Sequence, residues 1–458
     1  MSRVRSSPQP VASPRRVVVV LLAVLVATSG SWRAARASHF DVHGFTARAI
    51  ARAGALVALG HDFESAYYNP ANMLSRKRVH LGFGFDLVAP RLAVRQVAGD
   101  TAVRSPDTGL GFHLGLSVPL GGILADRVAF GFALQHPLTS GTSVTSRDPS
   151  VAHFTRHQDT SDRLVLAAGL AVELHPLLRL GAGLQLLAAL DGRVSASLSL
   201  AEGRFNQESI DIALTPSLGP TLGLSFGPVA GLRAGVAWRH RLELDYALPV
   251  SVRIEEVGDL DVTVRGTSLY TPSQLALGLG WESAPAGTPG VSLEAGLTFE
   301  FWQGAPPVGA DFALILDDSA LRPPSPDAPE GEAILRHTAS AVEAGARDTT
   351  TLRLGAEWRL AEAPLALRGG YAFRPTHLPR PVRASNLLDS DSHVASLGAG
   401  VTFGDPFDDA QSPVHLDVTG SLTALARRSV VKLDPPYTAY EASGLVWALT
   451  VDLRHDYD

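Results

Sequence analysis

Apolar residues occur at every second position in many short segments of this chain. In the first, Val79, Leu81, Phe83, Phe85 and Leu87 alternate with histidine, glycine and aspartate. Successive side chains of a strand point to opposite faces, so this pattern predicts a strand with one apolar face and one small or polar face. Similar segments follow at Leu110 to Val118, Val128 to Leu134, Leu164 to Leu174, Leu178 to Leu190, Leu218 to Phe226, Leu232 to Trp238, Leu275 to Trp281, Val291 to Phe301, Leu352 to Leu360, Leu365 to Phe373, Val394 to Phe403, His415 to Leu425 and Leu445 to Leu453.

The connections between these segments alternate in length. Some are very short, such as His175-Pro176, whereas residues 136–161, 303–347, 374–392 and 426–442 form long polar stretches. Short turns at one end and long loops at the other are typical of outer-membrane barrels. The fourteen clear segments, together with two poorly defined ones near Ile210 and Val252 to Val264, predict about 14 strands, give or take two. The predicted fold class is therefore all-β: a transmembrane antiparallel β-barrel over residues 76–458.

A soluble sandwich would also alternate, because one face of each sheet packs on a core. Such a secreted, β-rich hydrolase is one alternative, and it requires a nucleophile. Beyond the first residues, no run of 18 apolar residues occurs, so no helix is expected to cross a membrane. The 43 glycines suit strands and tight turns better than helix interiors.

The first 37 residues have the layout of a secretory signal peptide. Arginines are followed by an apolar run from Val17 to Ala27 and by Ala35-Arg36-Ala37. A basic region, a short apolar region and small residues before the cleavage position define such signals. We expect cleavage after Ala37, and 11 apolar residues are too few for a membrane-spanning helix, which needs about 20. The remaining chain carries about 33 basic and 45 acidic side chains, which argues against a nucleic-acid partner.

Two stretches resemble the long-chain fatty-acid transporters of the outer membrane, the FadL-like proteins. Residues 44–74 run from Gly44 through an alanine-rich stretch to Asp62 and then to Asn69-Pro70-Ala71. Near the other end, Leu365–Phe373 and Leu397–Gly400 resemble two late strands of that family. The family continues Asn-Pro-Ala with Gly-Leu, whereas Asn72-Met73 stands here. The motifs match only at the two ends of the chain.

The resemblance implies an N-terminal plug, or hatch, over residues 38–75, with Asp62, Asn69, Pro70 and Ala71 as its characteristic residues. A plug is also expected physically, since side chains of the wall cannot fill a barrel of 14 strands. The alternative is that Asn69-Pro70-Ala71 merely forms a turn. The family also has an interrupted third strand that opens the wall sideways. His136-Pro137 could provide it here, because proline cannot donate a ladder hydrogen bond, or could simply begin a loop.

The resemblance implies a monomeric channel in the outer membrane of a Gram-negative bacterium, in contact with outer-membrane lipid, that takes up long-chain fatty acids or similar hydrophobic molecules. Ala313, Leu314, Ile315 and Leu316 could form an apolar landing surface among the loops. A carboxylate headgroup requires an arginine, and the alternation makes Arg239, Arg353 and Arg368 candidates. An outer-membrane barrel with a structural or interaction role is the main alternative.

Other motifs do not predict an enzyme, a metal or a cofactor. Gly223-Leu224-Ser225-Phe226-Gly227 matches a hydrolase nucleophile elbow, but that elbow requires a helix directly afterwards, and a strand pattern is present instead. His153 and His157 lie in a polar stretch, where we expect solvent-exposed side chains rather than metal ligands. Solvated loops are likewise expected at three acidic groups: Glu255, Glu256, Asp259 and Asp261; Asp317-Asp318; and Asp408-Asp409.

Overall fold

The structure, a computed structural model, describes residues 44–96, 108–124, 126–138, 143–144, 152–157, 161–162, 164–199, 204–254, 258–285, 288–317, 333–339, 341–382, 385–404, 412–433 and 439–457. The predicted signal peptide, residues 1–37, lies outside this part of the chain. Two short helices come first, α1 (Ala47–Ala51) and α2 (Ser65–Tyr68). Short 3-10 helices occur at Pro70–Leu74, Gly122–Leu124, Thr155–His157 and Trp302–Gly304. None of the described helices has the length and apolar character needed to cross a membrane.

The remaining elements are strands. They are β1 (Val79–Gln96), β2 (Gly109–Leu120), β3 (Val128–Pro137), β4 (Ser143–Val144), β5 (His153–Phe154), β6 (Ser161–Asp162), β7 (Val165–His175), β8 (Leu178–Ser199), β9 (Arg204–Val229), β10 (Leu232–Arg239), β11 (Leu242–Ile254), β12 (Gly258–Thr271), β13 (Ser273–Glu282), β14 (Gly290–Phe301), β15 (Ala310–Asp317), β16 (Ala333–Ala339), β17 (Thr349–Arg359), β18 (Leu365–Arg374), β19 (Leu387–Leu388), β20 (Ser392–Gly404), β21 (Pro413–Val430) and β22 (Tyr440–Tyr457).

Fourteen of these strands close into one antiparallel barrel. Chain neighbours pair in the order β1, β2, β3, β7, β8, β9, β10, β13, β14, β17, β18, β20, β21 and β22. The last strand then pairs with the first, from Val79 opposite Tyr457 to Gln96 opposite Tyr440. Closure leaves no unpaired sheet edge in the wall, as a membrane requires. The predicted fold class and strand number are confirmed.

The two faces of the wall differ as the alternation predicted. Large apolar side chains are exposed on the outside, for example Phe83, Leu222, Trp358 and Leu397, the last with 75% of its surface accessible. Glycine and polar side chains, such as Gly82, Gly84 and Asp86, are buried on the inside. An apolar outer surface is favourable only against hydrocarbon, so this is the architecture of an outer-membrane β-barrel.

The barrel has a turn end and a loop end. At the turn end, β7 joins β8 through two residues, and β9 joins β10 through Ala230-Gly231. Both of these residues have positive φ, the backbone of the tight turn that fits the twist of a β-hairpin. The other end carries all the long connections, including those before β7, β13, β17 and β20.

A side sheet extends from the wall at the loop end. The outer parts of β8 and β9 continue past the barrel, β11 pairs parallel to β8, and β12, β15 and β16 follow in order. Parts of the predicted loops are therefore strands. Residues 303–347 contain β15 and β16, and residues 136–161 contain β4 and β5. The two poorly defined segments near Ile210 and Val252 to Val264 belong to this side sheet and not to the barrel ring.

Candidate functional site

Residues 44–75, named the inner segment below, lie inside the barrel. Almost every residue between Phe45 and Leu74 is buried, and contacts run from its helices to β2, β3, β7, β8, β9, β18, β20, β21 and β22. The hydroxyl of Thr46 caps α1 by accepting the Ala49 N–H at 3.1 Å. The chain bends sharply after α1, where Ala53 and Gly54 both have positive φ. The inner segment therefore occupies the lumen that the wall side chains leave open.

The Asn69-Pro70-Ala71 tripeptide lies against the inner face of β8 and β9. Asn69 Nδ2 donates to the carbonyl oxygens of Val57 at 2.7 Å and of Leu224 in the wall at 3.1 Å. Its Oδ1 accepts the Ala71 N–H at 3.2 Å, and Pro70 begins a 3-10 helix. A Cβ at Gly181 or Gly223 would clash with this tripeptide, so these two glycines permit its close approach. The tripeptide is thus more than a local turn, and its role in a hatch stays a prediction.

Ion pairs tie the inner segment to the wall on its turn-end side. Arg454 Nη1 lies 2.6 Å from Asp62 Oδ2, and Arg48 Nη1 lies 2.6 Å from Glu64. Arg48 Nε is also 3.1 Å from Glu357 of β17. The wall continues this network, because Arg368 contacts both Glu357 and Asp417. Each buried arginine on this side has a carboxylate partner, which compensates for the loss of water.

Backbone groups of the inner segment are also bound by wall carboxylates. Glu294 of β14 accepts the N–H groups of Ala58 and Leu59, both at 2.9 Å. Asp452 of β22 accepts the Ala47 N–H at 2.6 Å and contacts His113 at 2.8 Å. These bonds satisfy backbone donors that neither a helix nor a strand pairs.

The loop-end side of the inner segment has a different character. Here a small cavity of about 30 Å³ is lined by Arg239, Arg353, Arg374, Glu300 and Tyr67, among others. Arg239 lies over the Tyr67 ring, 4.4 Å from its centroid, and Arg353 Nη1 donates to the Ala53 carbonyl at 2.8 Å. Arg374 is buried, and its Nε has no hydrogen-bond partner. The volume accommodates a water molecule but no headgroup without movement of these side chains.

The arginines of this cavity have too few carboxylates. Among the residues that the structure describes, neither Arg353 nor Arg374 forms an ion pair. Glu300, the carboxylate among the described residues that line the cavity, accepts hydrogen bonds from Trp302 at 2.9 Å and Thr349 at 3.2 Å and lies 3.6 Å from Arg156. A buried charge without a partner is costly, so this cavity is suited to an anion.

Loops cover the barrel mouth, and their apolar side chains pack against apolar residues of the wall. Phe154 and Leu388 pack on the inner face of β1, β21 and β22, in a buried cluster with Val88, Leu92, Val94, Leu425, Val430, Tyr440, Ala442, Val446 and Ala448. Asp389 holds these loops, since it contacts His377 at 2.8 Å and Arg156 at 3.8 Å. Burial alone would raise the pKa of Asp389, but Arg156 and His377 outweigh it and lower that pKa below its ordinary value.

The residues predicted to bind the acyl chain and the headgroup lie in different parts of the structure. Ala313, Leu314, Ile315 and Leu316 lie in β15, paired with β12 and β16 in the side sheet, rather than in a loop over the mouth. Arg239 and Arg353 line the loop-end cavity, whereas Arg368 belongs to the turn-end ion pairs. Arg374, which the alternation did not single out, joins the first two because it ends β18 on the inner face.

At His136-Pro137, strand pairing stops on one side only. Both residues stay in register with β2, opposite Phe112 and Gly111. Pairing between β3 and β7 ends earlier, at Gln135 opposite Val165. The expected loss of pairing at the proline is therefore seen towards β7 and not towards β2. A lateral opening at this place stays a prediction.

The described residues of the other sequence motifs lie in strands or are buried near the barrel mouth. His153 and His157 are buried beneath the loops, so the expectation of solvent exposure was wrong. Gly223 to Gly227 lies within β9, which continues to Val229 without a helix, so the serine is not on a nucleophile elbow. Asp259 and Asp261 lie in β12 and Asp317 ends β15, whereas Glu255, Glu256, Asp318, Asp408 and Asp409 lie outside the described residues. Among the described residues, no cluster of histidine and acidic side chains could hold a metal ion.

These features define a class of protein: a 14-stranded outer-membrane barrel whose lumen holds a segment of its own chain. Comparison with solved structures finds this fold in the FadL-type channels. A FadL homologue of Pseudomonas aeruginosa is 15% identical with a TM-score of 0.58, over 90% of this chain and 98% of that chain. The toluene transporter TodX of Pseudomonas putida is 16% identical with a TM-score of 0.59, over 91% and 99%.

A third solved structure, the monoaromatic hydrocarbon channel CymD, is 15% identical with a TM-score of 0.54, over 90% of this chain and 98% of that chain. No protein-family model matches the sequence, and a search of curated proteins finds no match. At these identities the likeness concerns the fold. The resemblance to FadL-like transporters that the sequence predicted is confirmed at that level.

Proposed function

We propose that this protein is an outer-membrane uptake channel for hydrophobic molecules that carry an acidic headgroup, with long-chain fatty acids as the substrate class. The observation that carries this proposal is the loop-end cavity, where Arg374 is buried, Arg353 is half-buried, and neither forms an ion pair with a carboxylate of the described residues. A bound carboxylate would supply the missing negative charge, and arginine can bind it through two parallel hydrogen bonds.

The apolar cluster at the mouth suits the rest of such a molecule. It lies at the same end of the barrel as the arginines, and it presents Val88, Leu92 and Val430 on the inner wall. Each methylene that leaves water contributes roughly 0.8 kcal/mol to binding. Displacing Phe154 or Leu388 would let an acyl chain take their place against this wall.

The inner segment is proposed as the hatch. In the described state it closes the lumen between the loop-end cavity and a larger cavity of about 890 Å³ at the turn end. Asp62 and Asn69-Pro70-Ala71 hold it to the wall through Arg454 and the carbonyl of Leu224. Release of the substrate then requires movement of this segment or passage through the wall near His136-Pro137.

A neutral hydrocarbon is the second candidate substrate, because TodX and CymD are described as transporting toluene and monoaromatic hydrocarbons. The two candidates are separated by measuring uptake of labelled oleate and labelled toluene in cells that lack their own hydrophobic-substrate channel. The cells would express the intact protein, the Arg353→Gln/Arg374→Gln double variant, or a control with Arg179→Gln on β8. A heat-dependent gel shift would verify that each barrel has folded.

Oleate uptake by the intact protein and by the Arg179 control, lost in the double variant, would support an acid channel. If the intact protein and the double variant take up toluene equally and neither takes up oleate, the result would support a hydrocarbon channel instead. Uptake of neither compound by a folded, inserted barrel would contradict transport and favour a structural role.

A further inference from the structure

Five arginines follow one side of the lumen from the loop end to the turn end. They are named the arginine row: Arg374, Arg353, Arg52, Arg368 and Arg48. Three of them belong to the neighbouring strands β17 and β18, where Arg353 is opposite Ala372 and Arg368 is opposite Glu357. From Arg353 to the level of Glu357 is four residues, or about 13 Å of strand. Arg52 of the inner segment lies between these two levels.

Arg52 is a fully buried arginine of the inner segment with few polar contacts. It has no accessible surface, and its Nε and Nη2 have no hydrogen-bond partner. Its Nη1 makes one long hydrogen bond, 3.4 Å, to Ser292. Among the described residues, none forms an ion pair with it. An arginine that only fixed the inner segment would be expected to have a carboxylate partner, as Arg48 has.

The three carboxylates that act on Arg52 electrostatically are already engaged, since the third of them, Glu64, binds Arg48 and Thr46. Glu357 binds Arg48, Arg368 and Arg359, and Glu294 binds the backbone N–H groups of Ala58 and Leu59. Among the described residues, Arg52 therefore has no carboxylate left to form an ion pair with it at the middle of the lumen. A ligand with negative charge is the remaining source of compensation.

The level of Arg52 also lies between two cavities, where the inner segment packs closely on the wall. The backbone of Arg52 lies so close to Gly370 that a Cβ there would clash, and a Cβ at Gly355 would lie 3.0 Å from the Arg52 carbonyl oxygen. Above it is the loop-end cavity with Arg353 and Arg374, and below it is the 890 Å³ cavity lined by Arg48 and Arg368. Arg52 is adjacent to the bend at Ala53-Gly54, where the inner segment changes direction.

We propose that the acidic headgroup passes the inner segment along β17 and β18, and that Arg52 is the binding step between the two cavities. This inference rests on the proposed function and adds a route and a residue to it. The headgroup leaves Arg353 and Arg374, binds Arg52 as the inner segment shifts from Gly355 and Gly370, and reaches Arg48 and Arg368 at the turn end. Without a cation at this level, a carboxylate would have to cross about 13 Å without a partner.

The test compares one acid with its neutral analogue. Cells expressing Arg52→Gln, Arg52→Lys or the control Arg179→Gln would be given labelled oleate or labelled oleyl alcohol, which has the same chain without the charge. Arg179 is a suitable control because it is also a buried inner arginine, but it lies on β8 and contacts Ser75 and Glu173. We expect Arg52→Gln to lower oleate uptake at least tenfold and oleyl alcohol uptake less than twofold.

Arg52→Lys should keep more than half of the oleate uptake, since the charge remains, and Arg179→Gln should change neither substrate. Oleate binding to purified Arg52→Gln protein should stay within threefold of the intact protein, because the first binding site lies above. Unchanged oleate uptake in Arg52→Gln would overturn the route while leaving the acid channel in place. If Arg52→Gln folds but loses uptake of both substrates equally, Arg52 has a structural role, which would also overturn the proposed route. Background uptake of oleate by the intact protein would reject the proposed function itself.

Discussion

The arginines on the two sides of the inner segment differ in their partners, although all face the same lumen. On the turn-end side, Arg48 and Arg454 have carboxylates at 2.6 Å. On the loop-end side, Arg353 donates to a carbonyl oxygen, and neither Arg353 nor Arg374 forms an ion pair with a carboxylate in the described part of the chain. Paired arginines hold two elements together, whereas unpaired ones in a cavity favour binding of an external anion. The difference assigns attachment to one side and ligand binding to the other.

The largest expected effect comes from removing one partner on the turn-end side. Asp62→Asn leaves Arg454 with a weaker set of partners at a position where Asp62 is almost fully buried. Breaking a buried pair costs about 3–5 kcal/mol. Amide hydrogen exchange in α1 and α2 should therefore accelerate about a hundredfold or more, while exchange in the barrel strands stays constant. Removing both partners, in Asp62→Asn/Arg454→Gln, should cost less than Asp62→Asn alone. Exchange unaffected by Asp62→Asn would mean that this pair does not hold the segment.

A smaller effect is expected where the attachment depends on close packing instead of charge. Gly223→Ala places a Cβ against Asn69 Oδ1, next to the tripeptide that donates to the Leu224 carbonyl. Overpacking of this kind costs about 1–3 kcal/mol. We expect faster proteolysis of the inner segment in folded Gly223→Ala protein. Gly420→Ala is the matched control, because a Cβ at that wall position meets nothing within 4 Å. Similar proteolysis of both variants would show that the tripeptide is not held by its fit to the wall.

The barrel could be predicted from the sequence because the alternation of apolar and polar residues is visible within each short segment. Each of the fourteen clear segments, from Val79 to Leu87 through Leu445 to Leu453, lies in one barrel strand, with at most one residue outside it. The side sheet was missed because β11, β12, β15 and β16 have weak alternation and lie in stretches that resemble polar loops. The inner segment was predicted because Asn69-Pro70-Ala71 resembles a family motif. The wall glycines that this tripeptide packs against, Gly181 and Gly223, could not be identified from their spacing in the sequence.

The candidate site was only partly predictable, because it depends on which strands face each other across the lumen. Arg239 and Arg353 were identified by their alternation, and Arg368 was selected with them although it is paired with Asp417. Arg374 and Arg52 were missed, since nothing in the local sequence distinguishes an unpaired arginine from a paired one. Apolar runs were equally ambiguous: Ala313 to Leu316 lie in the side sheet, whereas the apolar cluster of the mouth comes from β1, β21 and β22.

On the loop-end side, removal of an arginine should affect binding and not stability. Arg374→Gln removes an unpaired buried charge, so the barrel should unfold at the same temperature or a higher one. Loss of one hydrogen bond to a charged group, about 1.5–3 kcal/mol, should weaken oleate binding roughly tenfold to a hundredfold. Titration of the purified protein with oleate and with oleyl alcohol measures this, and the alcohol should be almost unaffected. If Arg374→Gln lowers the unfolding temperature and leaves the oleate affinity unchanged, Arg374 has a structural role. The arginines on the two sides of the inner segment would then not differ in function.

The smallest effect concerns the apolar surface, which should act independently of the arginines. Val430 has no accessible surface within the cluster at the mouth, so Val430→Ala removes two methyl groups from the wall proposed to receive the acyl chain. About 1 kcal/mol of lost burial corresponds to roughly fivefold weaker binding, and it should be the same for oleate and oleyl alcohol because neither headgroup is involved. Combined with Arg374→Gln, the two losses in oleate binding free energy should add, as expected for well-separated sites. A Val430 effect on oleate alone, or strong non-additivity with Arg374, would mean that headgroup and chain are not bound at separate places and that loop packing couples them.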